Sequence, residues 1–172
     1  DSHIAYLKFN GVEVVAGFIG GAIKVWDGDT GVYRHNLEAN MSMYMELQGD
    51  VVVCRNWDDL GKTAEIWSMS TGVRLYTLAG PQRHSCYITG ILVNENFVVT
   101  CSHNERLVKL WDIKTGEFIR DMVVLEEEEY VRKMRMKDAR IVLDVFSKTS
   151  KRSKLRVLNF DTNDQDYEVN LG

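Results

Sequence analysis

Three segments of the chain repeat one pattern: IKVWDGDTG (23–31), AEIWSMSTG (64–72) and VKLWDIKTG (108–116). Each runs apolar residues up to a tryptophan, then turns through a polar stretch that closes in Thr-Gly. Trp26, Trp67 and Trp111 stand 41 and 44 residues apart. Self-similarity at a period of about 40–45 residues implies a stack of like units, because one such unit cannot bury its own apolar faces. A fourth, weaker copy, KLRVLNFDTN, puts Leu158 in the tryptophan slot, 47 residues after Trp111, and Asn163 in the glycine slot. Gly31, Gly72, Gly116 and Asn163 thus share one place, and Gly and Asn tolerate the positive φ that a tight hairpin needs.

Each unit reads as four strands: 4–9, 12–17, 22–27 and 32–37; 43–47, 51–55, 64–68 and 73–78; 87–93, 97–102, 107–112 and 117–122; 130–136, 140–146, 154–160 and 166–171. The third strands carry apolar neighbours (Val25-Trp26, Ile66-Trp67, Leu110-Trp111), where a half-exposed strand would alternate. Apolarity on both faces suits a sheet sandwiched between two others. Pro81 falls between units, where it breaks no ladder. Period, Trp-Asp dipeptide and turn together are the signature of a WD-repeat β-propeller. The expected fold is all-β, one domain over 1–172, with four blades of four antiparallel strands at about 1–39, 40–80, 81–126 and 127–172.

The hydrophobic fraction of 45% is ordinary for a globular chain, and no segment approaches the roughly 18 apolar residues of a membrane span. The start, DSHIAYLKF, reads as no signal peptide. Cys54, Cys86 and Cys101 are odd in number and lie in or near strands, so reduced thiols and a cytoplasmic or nuclear setting are expected. A net charge of −4 argues against nonspecific nucleic-acid binding. No Ser-His-Asp spacing, P-loop or nucleotide-binding glycine motif occurs, and no catalytic residue or cofactor is expected.

The run LAGPQRHSCYITGILVNENFVVTCSHNERLVKLWDIKTGEFIRDMVVLE (78–126) resembles the F-box/WD-repeat substrate receptors of ubiquitin ligases, in particular the phosphodegron receptors that degrade cyclin E and Notch. Gly80-Pro81 followed by His84, the stretch DIKTGEFIRDMVVLE and the terminal LRVLNFD carry the resemblance, which spans about residues 3–161. It implies the last four blades of an eight-bladed ring, with an F-box upstream that docks the ligase adaptor. It also implies a phosphorylated segment as ligand. Where the family has an aromatic residue early in its last blade and an arginine closing that blade's second strand, this chain has Arg132 and Lys148. The cationic character is kept and the aromatic wall is lost. The hairpin RNWDDLGKT is longer than the family's.

One propeller face collects the hairpins between second and third strands and the loops into first strands. It should carry Arg55, Asn56, Trp57, Arg83, His84, His103, Arg106, Arg132 and Lys148. Of these, Arg132, Lys148, Trp57, Arg83, His103 and Arg106 are the candidate contacts to a phosphopeptide or protein partner. Arginine and lysine around a shared pore suit phosphate through charge-assisted hydrogen bonds, or are merely solvated loop charges. Trp57 is an interface anchor or folds back over the blade edge. The basic run 148–154 and the acidic run 126–129 read as solvated loops. The mirrored HSC (84–86) and CSH (101–103) offer zinc-type ligands at a spacing too tight for the usual knuckle, so no metal is expected. The functional expectation is a non-enzymatic protein-interaction propeller, part of a ubiquitin-ligase substrate receptor. The alternative is a WD-repeat scaffold unrelated to ubiquitination.

Four blades also leave two blade faces uncovered. The candidates are Ile4, Tyr6, Phe9, Val15 and Phe18 in the first blade and Val131, Met134, Met136, Ile141 and Leu143 in the last. The expected partners for them are the missing half-propeller or a second copy of the chain.

Overall fold

The computed structural model describes residues 3–18, 21–79, 81–102, 105–160 and 166–171. They contain sixteen strands and no helix. The strands form four sheets, each an antiparallel meander in chain order. The first blade holds β1 (Ile4–Phe9), β2 (Glu13–Phe18), β3 (Ile23–Asp27) and β4 (Tyr33–Leu37). The second holds β5 (Met41–Gln48), β6 (Val51–Asn56), β7 (Thr63–Ser68) and β8 (Arg74–Leu78). The third holds β9 (Ile88–Val93), β10 (Phe97–Ser102), β11 (Leu107–Asp112) and β12 (Phe118–Val124). The last holds β13 (Glu129–Lys137), β14 (Arg140–Ser147), β15 (Ser153–Asn159) and β16 (Tyr167–Asn170).

The shared turn is built alike wherever it is described. Gly31, Gly72 and Gly116 have φ of 69°, 72° and 71°. Their N–H groups donate back to the carbonyls of Asp27, Ser68 and Asp112. The first polar residue of the turn also locks it from its side chain. Asp27 Oδ1 accepts from Thr30 N–H at 2.8 Å, and Asp112 Oδ1 from Thr115 N–H at 2.9 Å. Hydrogen bonds from Thr30 N–H first, then from the Thr30 hydroxyl and Arg34, hold the Asp27 carboxyl down at about 2. Asn163 lies outside the described residues.

Three apolar cores join the four blades. The first puts Val15, Ile23, Val25 and Leu37 of blade 1 against Met45, Val52, Trp67 and Met69 of blade 2. The second puts Val53, Ala64, Ile66 and Leu78 of blade 2 against Ile88, Val98, Trp111 and Ile113 of blade 3. The third puts Val99, Val108, Leu110 and Val123 of blade 3 against Val131, Met134, Ile141, Leu143 and Leu158 of blade 4. Each blade therefore has a leading face, which carries its tryptophan or Leu158 and packs on the blade before. Its trailing face receives the blade after. Among the described residues, no core joins blade 4 to blade 1.

This arrangement corrects part of the expected open faces, although Ile4 and Phe9 are exposed as expected. Val131, Met134, Ile141 and Leu143 are buried on blade 3, and Met136 packs on the same core. Val15 and Tyr6 likewise belong to the junction with blade 2. Both faces of these sheets are apolar, so alternation cannot tell leading from trailing; the register does. Ile141 pairs with Leu158 on the leading face, and Val142 pairs with Val157 on the trailing one.

Candidate functional site

In a four-strand meander, the hairpin between second and third strands lies at the same sheet end as the loop into the first strand. These loops form the upper face, and they brace one another both within and between blades. Ile88 N–H donates to Gly61 O at 2.7 Å and Leu125 N–H to Arg106 O at 2.7 Å. Lys148 N–H donates to Glu128 O at 2.9 Å.

Arg55 and Asn56 were expected on this face, but both are buried beneath it. The Arg55 guanidinium donates to the Ile88 carbonyl at 2.5 Å, crossing from blade 2 to blade 3. Tyr44, Trp57 and Tyr87 surround it, with ring centroids 5.0, 5.7 and 5.9 Å away. Burial is the largest influence on Arg55 and works to lower its pKa. Asn56 donates to the buried Glu65 carboxylate at 3.1 Å. Both side chains are therefore structural: a polar group taken from water needs its partners close by.

His84 is also internal, fully buried in blade 3. Trp111 Nε1–H donates to Thr100 Oγ1 at 2.9 Å, and Thr100 Oγ1 lies 2.8 Å from His84 Nε2. His84 Nδ1 contacts the Glu105 carboxylate, which also accepts from Ser85 N–H at 2.6 Å. A carboxylate can only accept, so Nδ1 carries the proton and Nε2 accepts from the Thr100 hydroxyl. Burial works to raise the Glu105 pKa, but hydrogen bonds from His84 and Ser85 outweigh it and hold the carboxyl at about 2. His84 is thereby committed. Of the two cysteines in the mirrored triplets, Cys86 is half-buried and Cys101 is buried with its thiol pushed up to about 12. No grouping of three or more His, Cys, Asp and Glu side chains suited to a metal occurs among the described residues.

The hairpin after β6 remains on the surface. Its tip is pinned: Trp57 N–H donates to Asn40 O, and Asn40 Nδ2 to Asp58 Oδ1 at 2.5 Å. Arg83 pairs with Asp59 at 2.8 Å. Leu60 takes a left-handed conformation at φ 52°, next to Gly61 at 74°. On this fixed frame Trp57 is 52% exposed and Leu60 69%, with Tyr87 exposed beside them.

In blade 4 the cross-strand pair Tyr130–Phe146 brings two rings to 5.7 Å. The Lys148 ammonium lies 5.6 Å from the centre of the Tyr130 ring, and the Arg132 guanidinium 5.2 Å from that of Phe146. The expected loss of an aromatic wall here is thus corrected. The rings come from positions 130 and 146, brought opposite each other by register. Arg132 also pairs with Asp144 at 3.1 Å and donates to Ser153 Oγ at 3.0 Å. Lys148 has no ion-pair partner among the described residues. Glu129 departs from the solvated-loop reading: it is buried and pairs with Lys154 at 2.9 Å.

A cavity of about 210 Å³ on the inner edge of the blades is lined by Tyr6, Tyr44, Glu46, Thr89 and Arg132–Arg135. Arg132 lines one side, and Tyr44 on the other side carries Arg55, which touches Trp57 and Tyr87. Arg106 is exposed at its loop on the same face. His103 lies outside the described residues.

No protein-family model matches the chain. It is 30% identical over 118 residues to the F-box/WD repeat-containing protein sel-10 of Caenorhabditis elegans, covering 66% of this chain and 19% of that protein. The chain thus spans about a fifth of the curated relative it matches. Among solved structures, the computationally designed Ika8 protein is 25% identical with a TM-score of 0.67, over 91% of this chain and 46% of that one. The WD40 β-propeller domain of Doa1 is 18% identical with a TM-score of 0.60, over 91% of this chain and 60% of that one. The chain is a four-blade segment of the WD-repeat propeller fold, similar in sequence to an F-box/WD-repeat protein. That fold and that similarity support a protein-interaction role.

Proposed function

We propose that the chain is part of the substrate-recognition module of an F-box-type ubiquitin ligase, binding a short phosphorylated segment on its upper face without performing chemistry. The observation that carries this is the pair of cations stacked on Tyr130 and Phe146, of which Arg132 lines the inner cavity. Aromatic faces hold both side chains in place, so less rotamer freedom is lost on binding. Lys148 is free to meet an anion at once. Arg132 must exchange its Asp144 carboxylate for phosphate, which offers more charge and more acceptor oxygens. The similarity to an F-box/WD-repeat protein supports the ligase setting.

The test is titration with a peptide array synthesised with and without phosphothreonine. Phosphorylated peptides should bind more tightly, and joint replacement of Arg132 and Lys148 by alanine should remove that preference. A charged hydrogen bond of about 1.5–3 kcal/mol makes this loss roughly tenfold or more. Equal binding of both peptide forms refutes the phosphate reading. A second reading, a phosphate-independent scaffold unrelated to ubiquitination, is favoured by the pinned hairpin with exposed Trp57 and Leu60. Under that reading Trp57→Ala abolishes binding, while the Arg132/Lys148 replacements leave it unchanged.

A further inference from the structure

The hairpin between β14 and β15 gathers cations that nothing neutralises. Its ladder ends at the pair Phe146–Ser153. Beyond that pair the chain reads Ser-Lys-Thr-Ser-Lys-Arg over 147–152. Residues 148–152 are all exposed. The cations around this tip are spoken for. Arg132 pairs with Asp144, and Lys154 pairs with Glu129 and Glu168. Lys148, Lys151 and Arg152 have no ion-pair partner among the described residues. Like charges set so close repel one another, so an anion added among them is favoured.

Two hydroxyls stand between these cations. The turn is held by its main chain and by Ser147. Ser147 N–H donates to Arg152 O and Lys151 N–H to Ser147 O, each at 3.0 Å. Ser150 N–H donates to Ser147 Oγ at 3.2 Å. The Thr149 and Ser150 hydroxyls take no part, and neither has a hydrogen-bond partner among the described residues. Turn hydroxyls of the other blades are in use. Thr30 donates to Asp27, Ser68 and Ser70 donate to Asp50, and Thr115 accepts from Glu117 N–H. Thr149 and Ser150 also line a cavity of about 640 Å³ beside the loop into β13, whose lining includes Arg152, Glu126 and Glu127. A phosphate group on either hydroxyl has room there.

We propose that Ser150 is a phosphorylation site for a protein kinase that selects basic residues around its acceptor, and that the phosphate withdraws Lys148 from the ligand. The second clause rests on the reading of Arg132 and Lys148 as contacts to a phosphorylated segment. Ser150 has Lys148 two residues before it and Lys151 and Arg152 directly after it, closer on average than around Thr149. In the transfer, the Ser150 hydroxyl oxygen bonds to the γ-phosphorus of ATP. The bond from that phosphorus to the ADP oxygen breaks, and the hydroxyl proton passes to the base of the kinase. Because 148–152 buries no side chain, drawing the tip into a kinase costs only the turn hydrogen bonds. Phosphoserine carries a charge of about −2 and strong acceptor oxygens. Glu126 and Glu127 repel it, which turns it toward Lys148, Lys151 and Arg152. Charge-assisted hydrogen bonds hold it there and leave Arg132 alone to meet a ligand.

The test starts with the full chain, Mg-ATP and the catalytic domain of a base-selecting kinase, protein kinase C. Mass spectrometry should place the phosphate on Ser150, and Ser150→Ala should remove it. Phosphate on another residue, or none, overturns the site. The chain carrying phosphate on Ser150 then answers for the switch. In phosphorus NMR, Lys148→Ala should raise the pH at which this phosphate takes up its second proton, because a nearby cation favours the dianion. No change shows that the two groups do not meet, and overturns the switch whatever the ligand is. The phosphorylated chain should also bind a phosphothreonine peptide roughly tenfold more weakly than the unphosphorylated chain. An unmodified chain that binds phosphorylated and plain peptides alike overturns the ligand reading, while the mapping still decides the site. A preference present in the unmodified chain and unaltered by phosphate on Ser150 overturns the switch alone.

Discussion

The first and third blades carry the same tryptophan and the same turn in different surroundings. Trp111 is 1% exposed, with its indole N–H tied to Thr100 and its ring packed on blade 2. Trp26 stacks edge-on to Tyr33 at 6.1 Å within its own blade and has no blade before it in the structure. Gly116 is crowded by Tyr76, whereas Gly31 has open space around it. The repeat dictates which residue occupies a slot; the neighbouring blade decides what that residue contributes. Blade 2 adds a variation. Trp67 N–H donates to Glu65 at 3.0 Å, and Arg74 neutralises that carboxylate at 2.7 Å, in place of a Thr-His relay. Apolar packing is common to both devices, and the polar partner is interchangeable as long as the indole N–H has one.

The largest test of this contrast is truncation of the two tryptophans. Trp111→Ala should cost about 3–5 kcal/mol in denaturant unfolding, the usual range for emptying a buried aromatic site. Trp26→Ala should cost about 1 kcal/mol, because its ring is only half-buried. Equal losses would show that the different burial of the two tryptophans does not set their contributions.

Next comes the relay itself. Thr100→Val keeps the shape but strands the indole N–H and His84 Nε2, at a cost of about 1–3 kcal/mol. A neutral result would mean that the apolar contacts alone hold Trp111, and blade 3 would then resemble blade 1 more than its burial suggests.

The turn glycines follow. Gly31→Ala should cost about 1 kcal/mol from the left-handed conformation alone. Gly116→Ala carries the same strain plus a contact of 2.6 Å with Tyr76 Cβ, an atom that no rotamer change removes. It should cost about 1–3 kcal/mol more. Identical effects would remove the cross-blade contact from the argument.

The smallest effect is on pH dependence. Glu105 has its folded pKa depressed from 4.5 to about 2. Its contribution is therefore fully present above about pH 4.5 and fades as pH falls toward 2, since the unfolded chain binds the proton more readily. Glu105→Gln should flatten that acid limb of the stability curve. An unchanged limb would place the acid sensitivity elsewhere.

The strand pattern was legible to within a residue or two almost everywhere, because period and turn chemistry are local. The upper face was less so. Arg55, Asn56 and His84 look like surface residues in a polar stretch, but each reaches a partner on another strand or blade, Ile88, Glu65 and Thr100 respectively. The Tyr130–Phe146 wall was missed for the same reason: the rings are 16 residues apart in sequence and become neighbours only through strand register. The open faces were legible only in part: Ile4 and Phe9 are exposed as expected, but the expected residues of blade 4 pack on blade 3. Ile141 and Val142 are equally apolar neighbours, and only the pairing with Leu158 or Val157 assigns one to each side.

The chain's own order of residues determined the repeat, the four-strand unit, the positive-φ turns and the slot for each large side chain. All of these follow from contacts close in sequence and from backbone preferences that need no neighbour. The tertiary structure alone decided which side of each sheet faces which blade, which charged groups go under the surface and which cations meet aromatic rings. Those outcomes depend on register and on stacking between blades, and a sheet apolar on both sides leaves them open until the next sheet is in place.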